Sequence, residues 1–147
     1  MKKKLLIIAV VVILAAALGI YLFWPLKLTD HLAENDVLYM SSTQPVVENG
    51  SADILYDSSE LEKGTQSYTE VMNLLKDMRM HRTWNTFLNS GAMNGADFYL
   101  TLSDGGAYMI LSSTGEVSVD GHRYILYENT VQQLYDMLPP KSEERKR

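Results

Sequence analysis

The sequence predicts an α+β domain that follows an N-terminal transmembrane helix. Three observations lead to this prediction: a long uncharged run at the N-terminus, two amphipathic helical segments, and a series of short alternating strands separated by glycine turns. Helices of about 9–14 residues are marginal alone in water, so their apolar stripes must pack on something. We therefore expect a two-layer domain, an antiparallel sheet of about four to six strands with two helices on one face.

The chain opens with MKKKLLIIAVVVILAAALGIYLFWP, in which Leu5–Trp24 carries no charge. A helix of this length, at about 1.5 Å per residue, spans a hydrocarbon core of about 30 Å. The basic Lys2–Lys4 predicts that this end stays in the cytoplasm. At the other end, the aromatic Tyr21, Phe23 and Trp24 suit the opposite head-group layer. Pro25 then ends the helix.

An alternative is a cleaved signal peptide, because Ala15-Ala16-Ala17 has the small residues of a cleavage site. The apolar region of a signal peptide is usually about 7–15 residues long and precedes its cleavage site. Here the apolar run continues past the alanines to Trp24. We therefore expect an uncleaved single-pass anchor in the cell membrane, with the domain outside, and leave open that a fraction of molecules is cleaved.

Charge and cysteine content exclude several classes of function. The formal net charge is -5, and because Lys2–Lys4 contribute +3, the part after Pro25 carries -8. An acidic domain is repelled by phosphate, so nucleic acid is not expected as a partner. The chain has no cysteine, which excludes disulfides, thiolate metal sites, a cysteine nucleophile and a lipoprotein anchor.

The pattern divides the chain into four segments. They are a basic stub with the anchor (1–25), a polar stem (26–36), an extracytoplasmic α+β domain (37–138) and a disordered charged tail (139–147). Two strands are predicted at Val37–Met40 and Ala52–Tyr56. Asn49-Gly50 between them is a strong hairpin signal.

The first helix of the domain is predicted at Ser67–Met80. Ser67 and Glu70 form a capping box, and apolar residues recur behind them at helical spacing. The following HRTWNTFL (His81–Leu88) is expected to be extended, with Trp84 buried.

A meander of strands separated by glycine turns follows. Its strands are predicted at Ala96–Leu102, Ala107–Leu111, Val117–Val119 and His122–Tyr127. Asn129 then caps a last helix, Thr130–Leu138, and two prolines end it.

Motifs of catalysis are missing from the sequence. There is no HExxH, GxSxG, P-loop or GxGxxG, and we predict no catalytic residue, no cofactor and no metal. We therefore expect a non-catalytic binding or sensing module. The alternatives are a small cell-envelope hydrolase that uses carboxylates and a module that binds glycan or peptide.

Tyrosine is the unusual residue type, with nine in the chain. Tyrosines on one face of a sheet can bind a protein or an envelope glycan, although tyrosine also simply suits strands. The sheet's edge is a second candidate contact surface. The candidate partner surface comprises Tyr99, Thr101, Tyr108, Tyr124 and Tyr127.

Three segments in this order carry a resemblance: SYTEVMNLLKDMRMHRTW, FYLTLSDGGAYMILSSTGEVSVDGHRYILY and LYDML. Together they resemble small uncharacterised extracytoplasmic domains of Gram-positive bacteria, anchored by a helix or a lipid. The resemblance implies an extracytoplasmic domain of unknown function and brings no catalytic residues. Many such domains use a lipid-carrying cysteine that this chain lacks.

Overall fold

The computed structural model of the protein describes residues 2–32, 35–48, 51–88, 93 and 95–138. The described helices are α1 (Lys2–Phe23), a 3-10 helix (Leu28–His31), α2 (Gln66–Asp77), α3 (Trp84–Leu88) and α4 (Val131–Asp136). The strands are β1 (Leu26–Lys27), β2 (Val37–Glu48), β3 (Ser51–Glu62), β4 (Arg79–Arg82), β5 (Tyr99–Ser103), β6 (Tyr108–Ser112), β7 (Glu116–Val119) and β8 (His122–Leu126).

The described strands form one antiparallel sheet in the order β1-β4-β8-β7-β6-β5-β2-β3. The predicted α+β class is confirmed, but four to six strands was an undercount, because there are eight. The strands that the prediction lacked are β1, which has two residues, and β4, whose sequence RMHR contains a single buried apolar side chain, Met80. Neither has an alternating pattern, so only pairing with neighbours makes them strands.

The meander from β5 to β8 lies where the glycine turns predict it. In the β5–β6 turn, the Asp104 carboxylate accepts hydrogen bonds from the amides of Gly106 and Ala107 at 2.8 and 2.7 Å. Gly115, in the β6–β7 turn, has φ of 85°, a left-handed conformation that favours glycine. The Asn129 side chain packs over Gly115 and donates to the carbonyl of Ser113.

Helices α2 and α4 cover one face of the sheet, as predicted. The buried Val71 and Leu75 of α2 and Val131 and Leu134 of α4 belong to the same apolar core as the strands. Residues of this core that are paired across neighbouring strands lie on one face of the sheet. The strand side chains in the core include Met40, Leu61, Met80, Leu100, Leu102, Met109, Leu111, Val117, Val119 and Leu126.

The N-terminal cap of α2 differs from the prediction. The side chain of Thr65, rather than that of Ser67, accepts a hydrogen bond from the amide of Tyr68 at 3.2 Å. The helix therefore begins two residues earlier than the predicted capping box implied. For the last helix, the Asn129 side chain does accept from the amide of Val131, at 3.3 Å.

The segment predicted as a polar stem contributes to the sheet and the core. Leu26 pairs with Met80, and Leu28 in the 3-10 helix is completely buried. The sheet therefore begins at the residue directly after Pro25.

Helix α1 is long and apolar enough to span a membrane. Every side chain from Lys3 to Leu18 is exposed, as a membrane-facing helix requires. The predicted turn at Asn49-Gly50 and the tail 139–147 lie outside the described residues.

Candidate functional site

One face of the sheet lies opposite α2 and α4 and carries a group of tyrosines. The strand register places Tyr99 beside Thr43, Thr101 beside Ile110, and Tyr108 across Ser103 from Tyr39. Tyr56 of β3 pairs with Thr43 and continues the same row. We call this surface the aromatic face; it comprises Tyr39, Thr43, Tyr56, Tyr99, Thr101, Tyr108 and Ile110.

A shallow cleft of about 350 Å³ crosses the centre of the aromatic face. The Tyr99 hydroxyl donates a hydrogen bond to the carbonyl of Met93 at 2.8 Å, which holds the ring at the cleft wall. Tyr108 is 51% exposed and free to contact a ligand. The cleft is lined by Thr43, Met93, Tyr99, Thr101, Tyr108 and Ile110. Rings and hydroxyls in this arrangement can stack on a flat ligand and hydrogen-bond its edge.

The structure brings together Tyr99, Thr101 and Tyr108 of the predicted partner surface and places Tyr124 elsewhere. Tyr124 pairs with the buried Val117, so it faces the helix side of the sheet. There its ring lies 6.1 Å from that of His31. Burial is the main cause that raises the pKa of the Tyr124 hydroxyl above its ordinary value.

Tyr127 lies at the end of the sheet that carries α1. Its ring lies 4.9 Å from that of His81, and its hydroxyl donates to the backbone carbonyl of Phe23. This tyrosine therefore has a partner within the chain, helix α1, rather than a place on the aromatic face.

Several residues of the aromatic face were missing from the predicted surface, notably Tyr39, Thr43 and Tyr56. The prediction ended the first strand at Met40, whereas β2 continues to Glu48. The alternation of Tyr39, Ser41 and Thr43 is the signal that would have identified them.

The outer strand β3 forms the second candidate contact surface. It pairs with β2 along its whole length, and no described strand pairs with its other side. An edge strand presents unpaired backbone groups to which another chain can add. Segment 37–62 contains five acidic residues and no Lys, Arg or His. The edge is therefore both open and negatively charged.

The ends of β2 and β3 extend as an arm beyond the rest of the sheet. β5 pairs with β2 only at Tyr39–Thr43, while β2 and β3 stay paired beyond it. Val47 and Ile54 on this arm are 75% and 61% exposed. The pairing of β2 with β3 places both side chains on the side of the sheet that carries the aromatic face. The apolar character of that face thus continues onto the arm.

A separate cavity of about 410 Å³ lies near the end of α1. Its polar side chains include Asp77, Arg79 and Glu128, of which both acids are exposed. The Thr130 hydroxyl at this cavity is buried and makes no hydrogen bond within the described residues. The other lining residues are Pro25, Leu74, Met78 and Tyr127. A hydrolase that uses carboxylates needs two carboxyl groups beside its substrate, and Asp77 and Glu128 both line this cavity.

The C-terminal end of α1 is bound directly by the domain. The Arg82 guanidinium donates to the carbonyl of Tyr21 at 3.3 Å and lies 4.4 Å from the centre of the Tyr21 ring. With the bond from Tyr127 to Phe23, two of the last helix carbonyls therefore have partners in the sheet. Such carbonyls have no partner within a helix, so these bonds fix the domain to it.

Comparisons of the chain with protein-family models, with curated proteins and with solved structures find no match. The resemblance to Gram-positive extracytoplasmic domains thus stays an expectation. Within the described ranges, no three His, Asp or Glu side chains are grouped closely enough to hold a metal ion.

Proposed function

We propose that this protein is a single-pass membrane protein whose outer domain is a non-catalytic binding module for an extended protein segment. In this proposal the N-terminus is cytoplasmic, because Lys2–Lys4 precede α1. The domain is extracytoplasmic and is held at the membrane surface by its contacts with the end of α1. The resemblance to Gram-positive anchored domains agrees with this topology.

The observation that supports the binding role is the cleft of the aromatic face. Its exposed Tyr108 and fixed Tyr99 provide rigid aromatic area, which costs little conformational entropy when a partner binds. The face is bounded on one side by β3, whose outer edge can pair with an added strand. A bound segment would lie along this edge and place alternate side chains on the aromatic face.

Charge and apolar area favour a protein segment over a sugar as the ligand. Val47 and Ile54 extend the aromatic face with aliphatic surface, which suits apolar side chains. The five acids of segment 37–62 favour a segment with Lys or Arg. We therefore propose a basic, extended protein segment as the partner.

Site-specific photo-crosslinking on intact cells tests this proposal. A photoreactive amino acid replaces Tyr108 in the full chain and, as the matched control, exposed Gln132 of α4. We expect the probe at Tyr108 to capture one dominant protein and the probe at Gln132 to capture none. The Tyr39→Ser substitution on the same face should weaken the capture. Equal capture at both positions would contradict the proposal, and capture of polysaccharide alone would favour a glycan ligand.

A small hydrolase is the second candidate function, favoured by the two acids of the cavity near α1. Asp77→Asn and Glu128→Gln would abolish such an activity, whereas Tyr108→Ser would leave it unchanged. Hydrolysis of cell-envelope material that follows this pattern would replace the binding proposal.

A further inference from the structure

Helix α3 exposes large apolar side chains next to the membrane helix. Trp84, Phe87 and Leu88 are 62%, 48% and 69% exposed. The sequence predicts that His81–Leu88 is extended, with Trp84 buried. His81 and Arg82 do lie in β4, but Trp84–Leu88 is helical and Trp84 is exposed, so the prediction is wrong for that part. What is buried in α3 is a small polar side chain, Thr86.

Thr86 attaches α3 to the sheet and thereby directs the apolar side chains outward. Its hydroxyl accepts from the amide of Thr83 at 2.8 Å and donates to the carbonyl of Arg123. Its carbonyl lies 2.9 Å from Nδ1 of His122. These bonds hold the polar side of α3 against the sheet, and its apolar side faces outward.

The position of α3 along α1 defines its depth in a membrane. The rings of Phe87 and Tyr21 are stacked with their centres 6.1 Å apart. Tyr21 lies three residues before Trp24, where the apolar run ends, and this corresponds to about 4–5 Å along the helix. The head-group region on each side of the hydrocarbon core is about 5–8 Å thick. If Leu5–Trp24 spans the hydrocarbon core, Phe87 therefore lies within about one helical turn of the boundary between acyl chains and head groups.

We propose that α3 enters the head-group layer of the membrane that α1 crosses, with Trp84, Phe87 and Leu88 contacting lipid. This inference rests on the proposed membrane anchoring. Lipid is the occupant because the apolar surface of α3 is continuous with that of α1 through the Tyr21–Phe87 contact. Tryptophan also prefers the boundary between head groups and acyl chains.

A groove between the domain and α1 supports the same orientation. It has a volume of about 330 Å³ and is lined by Ala17, Ile20 and Trp24 together with Arg82. The apolar side chains suit an acyl chain, and the guanidinium is placed for a lipid phosphate. The domain would then contact the membrane through both α1 and α3, rather than being attached to it by α1 alone.

Tryptophan fluorescence in vesicles tests this inference, because the chain has two tryptophans, Trp24 and Trp84. The full-length chain is placed in phosphatidylcholine vesicles with and without bromine on the acyl chains near the glycerol backbone. Trp24→Phe leaves Trp84 as the sole reporter of α3, and Trp84→Phe leaves Trp24 as the reporter of the anchor. Both side chains are exposed, so neither substitution disturbs the core.

We expect brominated lipid to quench most of the fluorescence of both variants and the emission of Trp84 to be shifted to the blue. Quenching of Trp24 without quenching of Trp84 would overturn the α3 proposal and leave the anchor intact. Absence of quenching in both would overturn the anchor and the α3 proposal together.

A charge in α3 gives a second readout in the Trp24→Phe background. Leu88→Asp should reduce the quenching of Trp84, because a carboxylate is drawn out of the lipid. The matched control is Ile54→Asp, at a similarly exposed aliphatic side chain on the β2–β3 arm. Equal quenching with and without Leu88→Asp would show that Leu88 does not face lipid.

Discussion

The two edges of the sheet have opposite characters. At one edge, β1 is two residues long and follows α1 after two intervening residues, and α1 is bound by Arg82 and Tyr127. At the other edge, β3 is twelve residues long, acidic and open on its outer side within the described part of the chain. We call these the anchored edge and the open edge. The difference indicates that α1 is bound at the anchored edge, whereas no described strand pairs with the outer side of the open edge. Our proposal places the membrane at the first edge and a second molecule at the other.

The largest expected effect is on stability at the anchored edge. Leu28→Ala removes a completely buried side chain from a segment that the sequence predicts as a stem. We expect a loss of about 2–5 kcal/mol in the free energy of unfolding, measured by denaturant titration of the full chain in detergent micelles. A loss below about 0.5 kcal/mol, the usual range for a surface substitution, would show that this segment is not part of the core.

A smaller effect is expected from the bonds between the sheet and α1. The double substitution Arg82→Gln with Tyr127→Phe removes two hydrogen bonds and a cation–π contact. We expect it to weaken the attachment by about 1–2 kcal/mol. Distances between spin labels on α1 and on α4 should then spread over a wider range. An unchanged distribution would mean that other contacts fix the domain.

The meander was predictable because its glycine turns and alternating side chains are local signals. The anchored edge was not predictable, because β1 and β4 become strands only by pairing with residues distant in sequence. Leu26 pairs with Met80, and Met80 pairs with Leu126. Trp84 shows a second limit of prediction from the sequence. A large aromatic side chain favours burial in a soluble protein, but Trp84 is exposed in a helix that contacts the apolar α1 through Phe87.

The aromatic face was predictable in part, because some of its residues lie in a strand with regular alternation. Tyr99 and Thr101 belong to a regular strand, although which side of the sheet the helices cover depends on the whole fold. Tyr124 faces the helix side because of the pairing from β5 through to β8, which no local pattern reveals. Met93 joins the cleft from a segment without periodicity, so no sequence signal identified it.

A third prediction concerns pH and the half-buried Tyr124 near the anchored edge. Burial raises the pKa of its hydroxyl, Tyr21 and Asp120 add to the rise, and Arg82 opposes it. The stability from this group is fully present below the pKa of unfolded tyrosine, about 10, and is lost as pH rises through the higher native pKa. Tyr124→Phe should therefore make the alkaline loss of stability less steep, as thermal unfolding above pH about 10 would show. An equally steep loss in the variant would contradict this assignment.

The smallest expected effect is on stability at the open edge. Ile54→Ala changes a side chain that is mostly exposed on the arm. We expect a change within about 0.5 kcal/mol in the free energy of unfolding, measured as for Leu28→Ala. A loss comparable to that of Leu28→Ala would show that the arm is packed against another part of the protein and is not an open surface.

The central claim is that the membrane helix holds one edge of the sheet and leaves the aromatic face open outside the cell. Because the chain has no cysteine, a single introduced cysteine can be labelled specifically. Tyr108→Cys and Lys3→Cys are made separately in the full chain and treated on intact cells with a membrane-impermeant maleimide. The account predicts labelling at position 108 in intact cells, labelling at position 3 only after permeabilisation, and an intact mass that retains α1. Labelling at position 3 but not at 108, or a mature form that begins near Leu18, would contradict it.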